Sequence, residues 1–205
     1  PGSAVLVQRL LGLPGIACID VRNQCTGFLY SLAIADSFVR SGMFKRVAVI
    51  GTEVHSTGIE FTDEGRDVTV LFGDGAAAAI VGPTDNPDVG LLVHCLHADG
   101  EGAELLCIKD PGSRNFPHRA PKDMYEKRTV FPHMNGRAVF KWACTKLPEV
   151  IMEAVAALEE AQNQAQAQSD IALVQANAAD IFDDGYSWVG GNPDGDITLV
   201  EFLDY

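Results

Sequence analysis

No apolar run in this sequence approaches the roughly 18 residues of a membrane-spanning helix, and no two cysteines stand at the C-x-x-C spacing of a zinc site or redox pair. The first absence predicts a soluble chain that does not cross a membrane. The second predicts no metal centre. The opening residues Pro1-Gly2-Ser3 carry neither a basic n-region nor a cleavage pattern, so no targeting signal is expected. Five cysteines are an odd number, which without a secretion signal argues against a disulfide framework and for reduced thiols in a cytoplasmic setting. Positive charge is scarce: 15 Lys and Arg against 28 Asp and Glu leave a net charge of −13. That excludes binding to nucleic acid by counterion release and attraction to acidic membranes. What is plentiful is apolar material, 47% of 205 residues, enough for a core in one domain or one and a half.

The scarcity of positive charge is local. Lys146 is the last basic residue, and every cysteine and histidine also precedes Leu147. Residues 1–146 are close to neutral, whereas residues 147–205 hold 12 acids and no Lys or Arg. A shift this abrupt predicts two segments, an α/β domain over 1–146 and an acidic helix, linker and terminal strand over 147–205. An acidic helix and tail on a single domain is the alternative.

Hydrophobic spacing gives the elements. Residues 4 to 11 place their apolar groups on one helical face, closed by Gly12 and Pro14. Ile16 to Val21 reads as a short strand. Phe28, Leu29, Leu32, Ala35, Phe38 and Val39 repeat with a 3.6-residue period, predicting a helix over 26–41 that stops at Gly42. Val47 to Gly51 is a buried-type strand, which completes a strand, helix, strand unit of the kind that builds α/β crossovers. Val68 to Phe72 and Ala76 to Val81 read as strands around Gly73-Asp74-Gly75, and Val89 to His97 with Glu104 to Ile108 as another pair. Asp110 to Pro132 is a long polar loop, a length usually functional or mobile. Asn135 is placed to cap a helix from Gly136 to about Thr145, and Pro148 to open a second one reaching about Gln168. Ile181-Phe182, a glycine-rich turn over 190–195 and a strand over Ile197 to Phe202 follow.

Among residues able to do chemistry, Cys25 stands out. Asn23-Gln24-Cys25-Thr26-Gly27 joins a strand to an amphipathic helix, which sets the sulfur at the positive end of the helix dipole. Helix N-termini lower thiol pKa values, and a drop of about 1.5 units, worth roughly 2 kcal/mol, turns half of a thiol into thiolate near neutral pH. The small neighbours Thr26 and Gly27 leave backbone N–H groups free to face an oxyanion. The competing reading is a small buried hydrophobe. It fits Cys18, Cys95, Cys107 and Cys144, each in an apolar context. Gly73-Asp74-Gly75 is a poor phosphate loop, because strand rather than helix follows and no Walker lysine is present; close backbone packing is the preferred account of its glycines. His94 and His97 would face opposite sides of a strand and are read as structural. Glu53 and His55, at a strand end, either orient a substrate or face water.

Asn23-Gln24-Cys25-Thr26-Gly27-Phe28, followed by Ala35-Asp36, Val49-Ile50-Gly51-Thr52-Glu53, Thr62-Asp63 and Leu71-Phe72-Gly73-Asp74-Gly75-Ala76, closely resembles β-ketoacyl-ACP synthase III in order and spacing. Met134-Asn135-Gly136-Arg137-Ala138-Val139-Phe140-Lys141 looks like a later helix of the same family. The likeness covers about residues 1 to 150. It implies a thiolase-like α/β fold, a mixed sheet with covering helices, and an acyltransferase of fatty-acid chain initiation. In that family the cysteine at the position of Cys25 takes an acyl group from acyl-CoA, and malonyl-ACP then condenses with it to give β-ketoacyl-ACP. The implied partners are acyl carrier protein, acyl-CoA and a second copy of the chain, with no cofactor. Cys25 is the one catalytic residue carried over, and no substrate-binding residue is assigned.

Departures from the family pattern are also visible. Only 24 residues precede Cys25, and Glu64, with Arg66 nearby, stands where the family usually has an arginine for the CoA nucleotide. The family's histidine and asparagine motifs should follow residue 150; the nearest echo is Val174-Gln175-Ala176-Asn177, with valine at the histidine position. The acidic tail resembles something else. Pro148-Glu149-Val150 with the Gln/Ala helix and the stretch from Gly191 to Tyr205 look like the leading segment of a DsbA-like thiol-disulfide oxidoreductase, without its cysteine pair. The pairing of patterns suggests a junction of two coding sequences near Pro148. Two alternatives to the acyltransferase are thereby implied, an inactive fragment or fusion product and an incomplete thiol-disulfide oxidoreductase.

Overall fold

A computed structural model describes residues 2–86 and 89–177. In chain order it contains α1 (Ser3–Leu10), α2 (Gly27–Arg40), β1 (Val47–Glu53), α3 (Arg66–Thr69), β2 (Gly75–Val81), β3 (Leu106–Cys107), β4 (His133–Met134) and α4 (Gly136–Ala176). Two compact units divide between Val155 and Ala156, within the span of α4.

The first unit is built around α2 and an antiparallel β1–β2 pair. Apolar residues at helical spacing bury Ala35 at the middle of α2, and the helix ends where Gly42 takes φ +74, a conformation glycine adopts without a steric cost. Phe38 and Phe44 meet edge to face across that end, 5.5 Å between ring centroids. The register pairs Val49 with Ala79 and Gly51 with Ala77, so one face of the sheet carries Val47, Val49 and Gly51. Val49 is buried there, and a side chain on Gly51 would press on the Phe28 ring at 3.2 Å. The opposite face carries Ala48, Ile50, Ala78 and Ile80, and its two isoleucines are exposed at 43% and 68%. Apolar residues on both faces of a strand are the mark of a central sheet with a layer on each side.

Several sequence expectations hold. α1, α2, β1 and β2 lie where periodicity placed them. Asn135 caps α4, its Oδ1 accepting the Ala138 N–H at 3.2 Å.

Others are corrected. Ile16 to Val21 forms no strand; nothing pairs with it among the described residues, and Asp20 instead accepts the Ala4 N–H at the start of α1, 3.0 Å away. The strand, helix, strand crossover is therefore absent from this segment. Val68 to Phe72 contains the end of α3 rather than a strand, because Thr69 closes on the Glu60 carbonyl at 2.6 Å and Val68 on Gly65. A short apolar run suits either state, and the local hydrogen bonds decide. β3 pairs with β4 and not with residues 89–97, which form no ladder. α4 runs straight through Pro148, although that residue has no N–H to offer the Cys144 carbonyl, a defect worth about 3 kcal/mol. A Lys146–Glu149 ion pair at 2.7 Å spans the proline.

The 110–132 loop is tied down. Asp110 is buried, receives the Asn115 amide and donates its N–H to Thr129; Arg128 reaches Glu60 at 2.6 Å. In the second unit the described residues are the distal part of α4 and Asn177, whose amide donates to Leu173. Val174-Gln175-Ala176-Asn177 thus lies at a helix end. The expected elements at 181–182, 190–195 and 197–202 lie outside the described residues. No helix among the described residues is long and apolar enough to cross a membrane.

Candidate active site

Cys25 sits in a tight turn directly before α2. The Gly27 N–H closes that turn on the Gln24 carbonyl at 2.9 Å, and Tyr30 is the first to reach back to Thr26, at 3.1 Å. The first N–H groups of a helix have no carbonyl behind them; the Gly27 N–H is taken by Gln24, contrary to the sequence expectation, which leaves those of Phe28 and Leu29 in the first turn of α2 as the open donors. Thr26, at the cap position, does not satisfy them with its side chain. Cys25 is a free, exposed thiol. An exposed sulfur, unblocked donors and the positive helix end are the components from which an acyl transfer site is assembled.

The remaining cysteines differ. Cys18, Cys95 and Cys107 are half-buried, and Cys144 is exposed on α4. Burial pushes the Cys95 thiol up, and the neighbouring Glu153 carboxylate adds to the shift, which disfavours its thiolate. No three His, Cys, Asp or Glu residues cluster as metal ligands among the described residues.

α2 is fastened by a segment that spacing alone pointed to as a strand. Residues 91–97 run antiparallel along the helix: the Leu91 carbonyl accepts from Arg40 at 2.8 Å, His94 Nε2 lies 3.0 Å from Asp36 Oδ2, and the His97 carbonyl accepts the Tyr30 hydroxyl at 2.9 Å. Arg40 also grips Asp36 through Nε at 2.7 Å. Partial burial pushes the Asp36 carboxyl up, but hydrogen bonds from His94 and Arg40 and the adjoining charge outweigh it and hold the group below the usual carboxylate range. His97 turns its ring to Glu153 on α4 at 2.7 Å. Asp36 four residues before Arg40 is the one sign of this arrangement in the sequence, an i, i+4 pair on a largely apolar helix.

Gly73-Asp74-Gly75 has a structural role of a different kind from the close packing expected of it. A Cβ on either glycine would meet nothing within 4 Å. Asp74 does the work instead: it accepts the Ser56 hydroxyl at 2.6 Å and the N–H groups of Ser56 and His55, and the Ser56 bonds keep its carboxyl low. His55 packs on Phe72 and stands 3.9 Å from the exposed Glu53.

Residues 19–100 match the family model described as 3-oxoacyl-[acyl-carrier-protein (ACP)] synthase III. The chain is 38% identical over 151 residues to the β-ketoacyl-[acyl-carrier-protein] synthase III of Koribacter versatilis, covering 73% of this chain and 44% of that protein. Among solved structures it is similar to the synthase III of Thermus thermophilus (34% identity, TM-score 0.65, 78% of this chain and 46% of that one). The enzyme of Aquifex aeolicus gives 34% identity and a TM-score of 0.62 over 78% of this chain and 45% of that one. The chain thus spans less than half the length of these relatives. It is similar to part of a β-ketoacyl-ACP synthase III, and its fold is thiolase-like.

Proposed function

We propose that this chain is an acyltransferase of fatty-acid chain initiation with Cys25 as its nucleophile. The observation that carries the reading is the exposed Cys25 thiol in the turn that opens α2. Its thiolate attacks the thioester carbonyl of acyl-CoA, the backbone donors receive the oxyanion, and the CoA thiolate leaves as the Cys25 thioester forms. In the complete reaction malonyl-ACP loses carbon dioxide, its carbanion displaces Cys25 from the acyl group, and β-ketoacyl-ACP departs with the thiolate restored. That second half calls for the histidine and asparagine that the family resemblance assigns beyond residue 150, whereas the last histidine here is His133. The chain is therefore expected to acylate itself and to stop there. Acyl carrier protein and a second copy of the chain are its proposed partners, in a cytoplasmic setting.

Incubation with acetyl-CoA and malonyl-ACP tests both halves. An acyl-protein without ketoacyl-ACP is the expected product; ketoacyl-ACP formation would contradict the arrest. A second reading, a polypeptide without catalysis that joins two coding sequences near residue 147, is favoured by the uncovered Ile50 and Ile80 face. It predicts no adduct at all.

A further inference from the structure

We infer that His94 is a positioning residue for Cys25, acting through Asp36 and the strap of residues 91–97 along α2. The inference rests on the reading of Cys25 as the reactive thiol. The turn around Cys25 is closed by the Gly27 N–H on the Gln24 carbonyl, and it leads directly into α2, which sets its placement. That helix is seated on β1 by Ala35 and Val49 and, among the described residues, fastened on another side by the strap.

The three fastenings differ in what they can resist. Tyr30 and Arg40 each donate to a backbone carbonyl, so they bind whatever residue stands at 97 or 91. Among the described residues, His94 with Asp36 is the side chain to side chain pairing between the strap and α2, and it fixes register: a slip by one residue removes the imidazole from the carboxylate. The pair is shielded, with the His94 side chain 27% exposed and that of Asp36 15% exposed, so water competes less for it than for the outer ion pairs of the molecule. Arg40 Nε also donates to both Asp36 oxygens, at 2.9 and 2.7 Å. With the register held, the Tyr30 hydroxyl meets the His97 carbonyl one turn from Cys25, where a shift changes how the N–H groups face the sulfur.

The test is the rate at which iodoacetamide alkylates Cys25 in the full chain, read by peptide mapping. Wild type is compared with His94→Phe, His94→Gln and Tyr30→Phe, each first shown folded by circular dichroism. His94→Phe keeps the ring but loses the bond to Asp36, and is expected to slow alkylation about threefold, the size of a first-turn dipole contribution. His94→Gln keeps a donor at the same reach and is expected to restore the wild-type rate. Tyr30→Phe, which leaves the strap's register intact, is expected to slow it less. Unchanged alkylation in His94→Phe would overturn the inference, as would failure of His94→Gln to rescue. Acylation by acetyl-CoA is a separate readout: its absence from the wild type overturns the nucleophile reading, while a rescued alkylation rate still stands for positioning.

Discussion

Helix α2 and the sheet beneath it show two degrees of completion in one molecule. The helix is held by the sheet on one side and by the 91–97 strap on another, and Ala35 at its centre is 1% exposed. The β1–β2 pair is covered on the Val49 face alone, and Ile50 and Ile80 stand open on the other. A two-stranded sheet is marginal by itself. The turn that carries the exposed Cys25 thiol therefore rests on the better-supported of the two layers. Local chemistry at Cys25 and global stability are expected to respond to different substitutions.

The largest effect is expected on the covered face. Val49→Asp places an unpaired carboxylate against α2 and should cost more than about 3 kcal/mol, read as loss of a cooperative urea transition. A folded Val49→Asp chain with an unchanged midpoint would remove the distinction between the faces.

A middle-sized effect belongs to the strap. Asp36→Asn should lower stability by about 1 kcal/mol near neutral pH, by urea titration. The sign follows from the depressed Asp36 carboxyl: its contribution is present above the unfolded-state value near 3.8 and is lost as pH falls through the lower folded-state value. Wild type and Asp36→Asn should thus converge in stability on acidification below about pH 4 and diverge above it. Divergence growing toward acid would contradict the placement of Asp36.

The smallest effect is expected on the open face. Ile80→Lys should change the unfolding midpoint by no more than about 0.5 kcal/mol and reduce self-association measured by analytical ultracentrifugation. A large loss of stability would mean that this face is covered in solution.

The same contrast separates what the sequence made legible from what it did not. α2 announces itself through a strong 3.6-residue pattern and β1 through a continuous apolar run ending at a glycine, Gly42 marks a helix end, and Asn135 marks a helix start; each is a signal contained within its own element. The setting of Cys25, a turn and the helix next to it, was legible for the same reason. Residues 16–21, 68–72 and 89–97 carry apolar runs that read as strands, but a strand exists only where another backbone lies beside it. Here Asp20, Thr69 and His94 turn to α1, Glu60 and Asp36 instead, side-chain bonds that an apolar run does not announce. Pro148 misled in the opposite direction: proline suits the first turn of a new helix, whereas here it lies inside a single continuous one.

The central claim is that Cys25, and no other thiol of this chain, accepts the acyl group. Peptide mapping after incubation with acetyl-CoA measures that directly. The account predicts an acetyl group on the peptide Asn23–Arg40, absent in Cys25→Ser, with the peptides holding Cys18, Cys95, Cys107 and Cys144 unmodified. Acetylation spread over all five cysteines, or retained in Cys25→Ser, would contradict it.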